Sequence, residues 1–305
     1  MKAAVVGLGT MGPGMAATLV RGGIDVRCHD ASPDQLERAA GEVQTALQVL
    51  ERIGGPAASK PGVLSFEADL AAAVREADLV IEAVPERVDV KQQVFAELDR
   101  LAPARAILAS NTSGIPITKL QEAVTRKDRV VGMHWSNPPH VIPVVEVIAG
   151  NHTAGPIVEA MKKVITDLGL KPVAVRKDVP GFVHNRVLYA IMRECVSLVE
   201  KGVISPEELD TCVKWSLGLK LAVIGPMELL DVAGLDIYEA VAGYLNADLD
   251  NAAGVPPFIT SRTREQQLGM KTGRGIYEYT AESIQGLRAA RAGKLVAVRK
   301  TLEGR

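Results

Sequence analysis

Cysteine is scarce in this chain. Its 305 residues include only Cys28, Cys195 and Cys212, far apart and without a C-x-x-C pair. That argues against a disulfide framework or a zinc ribbon and fits a reducing, cytoplasmic setting. An excess of one charge is also lacking, since 35 basic residues face 36 acidic ones for a formal net of -1. Without a strong field of either sign, nucleic acid and anionic membrane surfaces are poor partners, and a small molecule is the expected one. No window reaches 18 uninterrupted apolar residues, and the chain opens on a strand with no charged leader, so neither a membrane span nor an export signal is expected. Repeats are missing. The six-residue step from His134 to His140 is not metal-ligand spacing on a helix, and no metal site is expected.

What is present is apolar content: 47% of residues are hydrophobic, enough for a large core, and the length suits two domains. Short β-rich runs alternate with helical stretches through the first half. The runs are Ala3 to Val6, Asp25 to His29, Leu79 to Ala83, Ala106 to Ala109, Arg129 to His134 and Val144 to Ile148. Helices are expected through Val20, from Pro33 to about Ile53 and near Lys91 to Leu101. This alternation predicts an α/β domain with a doubly wound, mostly parallel sheet of the Rossmann type. Ser32-Pro33-Asp34-Gln35 supplies an N-cap hydroxyl and a possible capping box for the second helix.

From Val179 the pattern becomes helical. Phe182, Val183, Val187, Leu188, Ile191, Met192, Cys195, Leu198 and Val199 recur at helical spacing and predict a broad apolar face that should be buried. A second capping box, Ser205-Pro206-Glu207-Glu208, opens the next helix, and further helices follow near Pro226 to Leu230, Leu235 to Leu245 and from Ala281 onward. The breakers in Lys177 to Gly181 place the division there, giving a dinucleotide-binding domain over 1–178 and an all-helical domain over 179–305.

The glycine turn Gly7-Leu8-Gly9-Thr10-Met11-Gly12 follows an apolar strand and opens a helix, and Asp30 ends the second strand 18 residues after Gly12. In such a turn Gly7 permits the bend, Gly9 lets the backbone approach a pyrophosphate, and Gly12 lets helix and strand pack closely. Asp30 would accept from ribose hydroxyls and repel a 2′-phosphate, so the expected cofactor is NAD.

Several separated strings then point one way. They are Ile81 to Glu86, Ser110-Asn111-Thr112-Ser113, His134-Trp135-Ser136-Asn137-Pro138-Pro139 leading to Val145-Glu146-Val147, Pro180 to Arg186, Gly225 to Asp231 and Lys271 to Tyr277. With the glycine turn, they make the chain resemble the L-3-hydroxyacyl-CoA dehydrogenases over nearly its whole length. The resemblance implies an NAD-dependent dehydrogenase with His134 as general base, Glu146 paired with it, and Ser113 and Asn185 flanking the substrate oxygen. It also implies that Ala83, Val84 and Asn111 join Thr10, Met11 and the three glycines at the cofactor, with Glu86 and Lys91 near the nicotinamide ribose. Asn137 would touch substrate, and the helical domain would make a homodimer. The chemistry agrees: hydride loss from an alcohol needs a base of near-neutral pKa, and a carboxylate behind a histidine fixes its tautomer. The active site is then expected in the cleft between the domains.

The substrate stands open between two classes. Family members acting on acyl-CoA tend to carry a lysine-rich helical hairpin after the second strand, whereas Ala31 to Gly62 here holds only Arg38, Arg52 and Lys60 as basic residues. Ser113 to Leu120 and Met133 to His140 resemble instead the subset that acts on small carboxylates without CoA, such as 5-formyl-3-hydroxy-2-methylpyridine-4-carboxylate. His140 is a candidate substrate contact, and Trp135 shapes the pocket or simply packs. His29, His152 and His184 have no evident pairing. A dinucleotide-binding protein without catalysis is the contrasting reading, which the presence of both His134 and Glu146 weighs against.

Overall fold

The computed structural model describes residues 1–304. It contains two compact units, Met1–Arg186 and Val187–Arg305 by chain extent. The first is an eight-stranded sheet in the order β3-β2-β1-β4-β5-β6-β7-β8. Its strands are β1 (Lys2–Val6), β2 (Asp25–His29), β3 (Leu64–Phe66), β4 (Leu79–Glu82), β5 (Ile107–Ser110), β6 (Val130–Trp135), β7 (Val144–Ala149) and β8 (Lys171–Val175). Every pairing is parallel except β6 with β7. The expected Rossmann-type α/β architecture is therefore present.

The helices of this unit are α1 (Gly12–Arg21), α2 (Pro33–Ile53), α3 (Leu70–Val74), α4 (Val88–Leu101), α5 (Ile117–Gln121), α6 (Gly155–Asp167) and the start of α7 (His184–Glu200). Central strands buried on both faces need near-continuous apolar runs, and alternate residues serve opposite layers. Val5, Val26 and Ile81 pack with α1, α2 and α6 on one face. Ala4, Val6, Val80 and Leu108 pack against Phe95 and Leu98 of α4 and Ile117 and Leu120 of α5 on the other. Chain order reverses on either side of β1, which lies between β2 and β4. The carboxyl end of β1, where the glycine turn begins, is thus the topological switch point at which such sheets bind ligands.

Several elements carried too little sequence signal to be foreseen, among them β3, β8, α3, α5 and α6 of this unit. Strand β3 has three residues, and β8 is an edge strand containing Pro172, a place where the missing N–H is tolerated. Helix α3 has one and a half turns, started by Asp69, whose carboxylate accepts from the N–H groups of Ala71 and Ala72. In α6 only Met161 and Ile165 are buried, a narrow apolar stripe.

Two caps differ from the sequence expectation. The Ser32 hydroxyl makes no cap bond; its own N–H donates instead to Asp30 Oδ1 at 2.9 Å. Ser205 does accept from the Glu208 N–H, but the Glu208 carboxylate takes the Ser205 hydroxyl rather than its N–H, so the capping box is half made.

The second unit is helical: the rest of α7, α8 (Pro206–Cys212), a π-helical stretch Val213–Gly218, α9 (Leu219–Leu221), α10 (Pro226–Ala233), α11 (Leu235–Leu245), α12 (Pro257–Arg264) and α13 (Ala281–Leu302). Helix α7 starts at His184, because Phe182 takes a left-handed φ of 50° that a helix cannot include. Its apolar face is not buried as expected: Val187 and Met192 are each about half exposed, and only Ser197 of α7 is buried. Trp215 and Val223 stand out further into solvent. Among the described residues no helix is long and apolar enough to cross a membrane, and the three cysteines are free thiols.

Candidate active site

The turn between β1 and α1 explains its glycines one by one. Gly7 has φ 100°, and a side-chain carbon there would lie 2.6 Å from the Ala83 carbonyl at the end of β4. A side chain at Gly12 would collide with the Gly7 carbonyl oxygen. At Gly9 nothing lies within 4 Å. The first two glycines are thus required by the fold, whereas the third leaves a bare surface that a bound group could approach.

The turn is tied from below. Gly7 N–H donates to His29 O at 2.8 Å, and Leu8 N–H donates to Asp30 Oδ2 at 2.7 Å. Among the described residues the N–H groups of Gly9, Thr10 and Met11 have no acceptor. Helix α1 has Pro13 and no acidic residue in its first turn, so its positive end is unopposed. Free donors, an uncontested helix dipole and a Cβ-sized opening fit a dinucleotide pyrophosphate. Asp30, beside them, fits the ribose hydroxyls with the lone pairs its two backbone bonds leave.

Next to the turn lies a buried ionic group. Lys91 Nζ is 2.7 Å from Glu82 Oε1, with the two side chains 1% and 0% exposed. Glu82 also accepts from Ser110 Oγ at 2.6 Å and Val84 N–H at 2.7 Å, and Lys91 donates to the Val84 carbonyl at 3.1 Å. Burial pushes the Glu82 carboxyl upward, against the opposing pull of Lys91, Ser110 and Val84. Lys91 reaches Glu86 Oε2 at 3.4 Å, and Glu86 Oε1 accepts from Thr112 Oγ1, Ser113 N–H and Gly114 N–H. These partners, with Lys91, hold Glu86 below the usual carboxylate range although burial opposes them. Asn111 Oδ1 accepts from Trp135 N–H at 2.9 Å, so its amide nitrogen remains available. Ala83 and Val84 form the strand end facing Gly7.

The His134 and Glu146 pair forms because the antiparallel register sets these two residues directly opposite each other on β6 and β7. His134 Nδ1 lies 2.7 Å from Glu146 Oε2, and both side chains are about 95% buried. Glu146 Oε1 accepts the N–H groups of Val183 and His184, at 3.0 and 3.1 Å, at the start of α7. Burial would raise the Glu146 carboxyl; the bond to His134 and the two backbone donors outweigh it and lower it instead. With the ionised carboxylate accepting a hydrogen bond from Nδ1–H, Nε2 is left as the basic nitrogen. Two rings flank the imidazole, the buried Phe182 at 5.7 Å and the exposed His184 edge-on at 6.0 Å.

Ser113 and Asn185 are also brought together, in a way the sequence did not suggest. Asn185 Nδ2 donates to the Ser113 carbonyl at 2.6 Å, while the exposed Ser113 hydroxyl has no partner among the described residues. Asn137 is exposed, joined to Pro138 by a cis peptide, and makes no side-chain hydrogen bond. His140 packs against Gly14 of α1 with its Nδ1 buried and unpartnered, and burial lowers its basicity. From sequence, Glu82 and Thr112 had no separate role, Phe182 fell on the apolar helix face and His184 had no evident pairing. Glu82 had a signal, an acid ending an otherwise apolar strand; the others had none beyond their neighbours.

The chain belongs to the 3-hydroxyacyl-CoA dehydrogenase family: the NAD binding domain model matches residues 2–179 and the C-terminal domain model residues 181–279. It is 54% identical, over 99% of its length and 98% of the relative's, to the 5-formyl-3-hydroxy-2-methylpyridine 4-carboxylate 5-dehydrogenase of Mesorhizobium japonicum. A solved structure of an enzyme of that name, described as an NAD+ dependent dismutase, has 53% identity, a TM-score of 0.97 and coverage of 100% of this chain and 99% of the other. The mitochondrial hydroxyacyl-coenzyme A dehydrogenase of Homo sapiens is 34% identical over 90% of each chain. The protein is an NAD-dependent oxidoreductase of this family.

Proposed function

We propose that the substrate is a free pyridine aldehyde carboxylate of the 5-formyl-3-hydroxy-2-methylpyridine-4-carboxylate class, oxidised at the formyl group, rather than a CoA thioester. The observation that carries this reading is the 54% identity across essentially the whole of both chains. The region after β2 agrees with it: α2 is a single helix whose only basic residues are Arg38 and Arg52, a poor anchor for CoA phosphates.

NAD, when bound, supplies the hydride acceptor. Hydration turns the formyl group into a geminal diol, which must lose its carbon-bound hydrogen as hydride and one hydroxyl proton to become the carboxylic acid. His134 Nε2 takes that proton, and Glu146, 2.7 Å behind Nδ1, stabilises the resulting imidazolium. The Ser113 hydroxyl contacts the oxygen that changes charge, with Asn185 holding the Ser113 backbone in position. Asn137 contacts the substrate ring. Thr10, Met11, Ala83, Val84 and Asn111 border the cofactor, Glu86 and Lys91 lie toward its nicotinamide ribose, and Asp30 favours NAD over NADP. Because Nε2 can return the proton it takes, a second aldehyde can be reduced at the same site, which suits a dismutation.

The test is a substrate panel read both at the nicotinamide absorbance and by separating acid and alcohol products, since dismutation hides turnover from absorbance alone. The pyridine aldehyde carboxylate should be consumed at least tenfold more efficiently than 3-hydroxybutyryl-CoA or acetoacetyl-CoA, a margin of about 1.4 kcal/mol. The opposite order would return the protein to the acyl-CoA members of its family. The reading includes a homodimer built on the apolar faces left exposed in the helical unit, checked by light scattering, and a cytoplasmic setting consistent with three free thiols.

A further inference from the structure

We propose that His184 is a specificity-determining residue that recognises the carboxylate borne on the ring carbon next to the reacting formyl group. The inference rests on the substrate reading above. In that substrate class the formyl carbon and the carboxylate occupy neighbouring ring positions. Once the diol oxygen is within proton-transfer reach of His134 Nε2, about 3 Å, the carboxylate is held within roughly one ring's breadth of the base. A donor for it must therefore stand beside His134 and face solvent.

His184 is placed for this. Its ring lies edge-on to His134 with centroids 6.0 Å apart, and of the two rings flanking the base it is the exposed one. Its position is fixed by the same carboxylate that orients the base, since Glu146 accepts the His184 N–H at 3.1 Å. Among the described residues the imidazole has no hydrogen-bond partner, which leaves both ring nitrogens available.

Three other basic side chains of this unit have bonds or packing of their own. Lys91 is buried between Glu82 and Glu86. His140 turns its Nδ1 into the packing against Gly14. Arg186 leans toward the Pro180 carbonyl at 3.4 Å. A carboxylate at this spot would take an N–H from His184 in a charge-assisted hydrogen bond.

The experiment compares kcat/KM for two aldehydes, 5-formyl-3-hydroxy-2-methylpyridine-4-carboxylate and 5-hydroxy-6-methylpyridine-3-carbaldehyde, which differs from it only in lacking the ring carboxylate, in the wild type, His184→Leu and His184→Gln. The ratio of the two values measures recognition of the carboxylate. His184→Leu should lower that ratio by roughly tenfold or more, as expected for losing a hydrogen bond to a charged group, chiefly through KM. His184→Gln, which keeps an N–H donor, should restore at least half of the loss on a logarithmic scale. NADH affinity, from its fluorescence, should be unchanged in both variants, showing an intact fold and cofactor turn. An unchanged ratio in His184→Leu, including the case where both aldehydes suffer equally, would overturn the proposal while leaving the substrate reading in place. A wild type that ignores the carboxylate aldehyde and oxidises the CoA substrate overturns both.

Discussion

Replacing Glu146 by Gln tests the link between the base and the start of α7. Three donors converge on this buried carboxylate: His134 Nδ1 at 2.7 Å, Val183 N–H at 3.0 Å and His184 N–H at 3.1 Å. Gln offers one acceptor oxygen and one NH2 group, so it cannot satisfy all three. If its NH2 faces His134, Nδ1 must become the acceptor and the proton moves to Nε2, which removes the base. If its NH2 faces α7, the two backbone donors lose their acceptor, at about 1–3 kcal/mol each, and the imidazolium loses its counter-charge. A hydrogen bond to a charged group contributes about 1.5–3 kcal/mol, so kcat should fall roughly 10–100-fold at about 1.4 kcal/mol per decade. NADH affinity should change little.

The same residue gives a pH signature. Its folded pKa is lowered, so its contribution to stability is fully present above the ordinary carboxylate range and is lost as pH falls through the folded value. The denaturant-melt gap between wild type and Glu146→Gln should therefore narrow on acidification. A gap independent of pH, or a kcat within about twofold of wild type in a folded variant, would refute the reasoning.

Other substitutions separate fold from cofactor. Gly9→Ala should fold normally, because nothing lies within 4 Å of the added carbon, yet weaken NADH binding by roughly tenfold or more in a fluorescence titration. Gly12→Ala meets backbone and should lower thermal stability by about 1–3 kcal/mol. Lys91→Met leaves Glu82 buried without its partner and should destabilise by about 3–5 kcal/mol in urea melts; adding Glu82→Gln should recover much of that. Asp30→Ala should narrow the preference for NAD over NADP in initial-rate assays and, by freeing the Leu8 N–H, reduce stability as well; an unaltered cofactor preference would remove Asp30 from ribose recognition.

The core of the sheet was readable because β1 and β4 to β7 are mostly apolar and β2 alternates polar with apolar residues, so these six stood out. Elements with little apolar surface, such as β3, β8 and α3, have no such periodicity; β3 and β8 are placed by strand partners elsewhere in the chain, and α3 by a one-residue cap at Asp69. The antiparallel turn of β7 was likewise invisible, although it alone sets Glu146 opposite His134. Residue types at the site were legible, but their bonds were not. Asp30 could be read as a ribose acceptor, whereas its bonds to Leu8 and Ser32 depend on a turn that exists only after folding. Ser113 and Asn185 looked like two equal oxygen binders, yet one holds the backbone of the other. His184 looked idle until β6 and α7 met.

The anchoring of the glycine turn to His29 and Asp30 carries a kinetic implication. Loops that must be ordered by their ligand associate slowly and lose affinity to that ordering. Here two backbone donors are secured by the protein itself, at 2.8 and 2.7 Å, and the next three have no acceptor among the described residues. The turn is therefore preorganised, and the conformational entropy of shaping it is lost during folding rather than at any encounter with the cofactor. Association should be a single second-order step, linear in cofactor concentration, with affinity differences among turn variants expressed in the rate of departure.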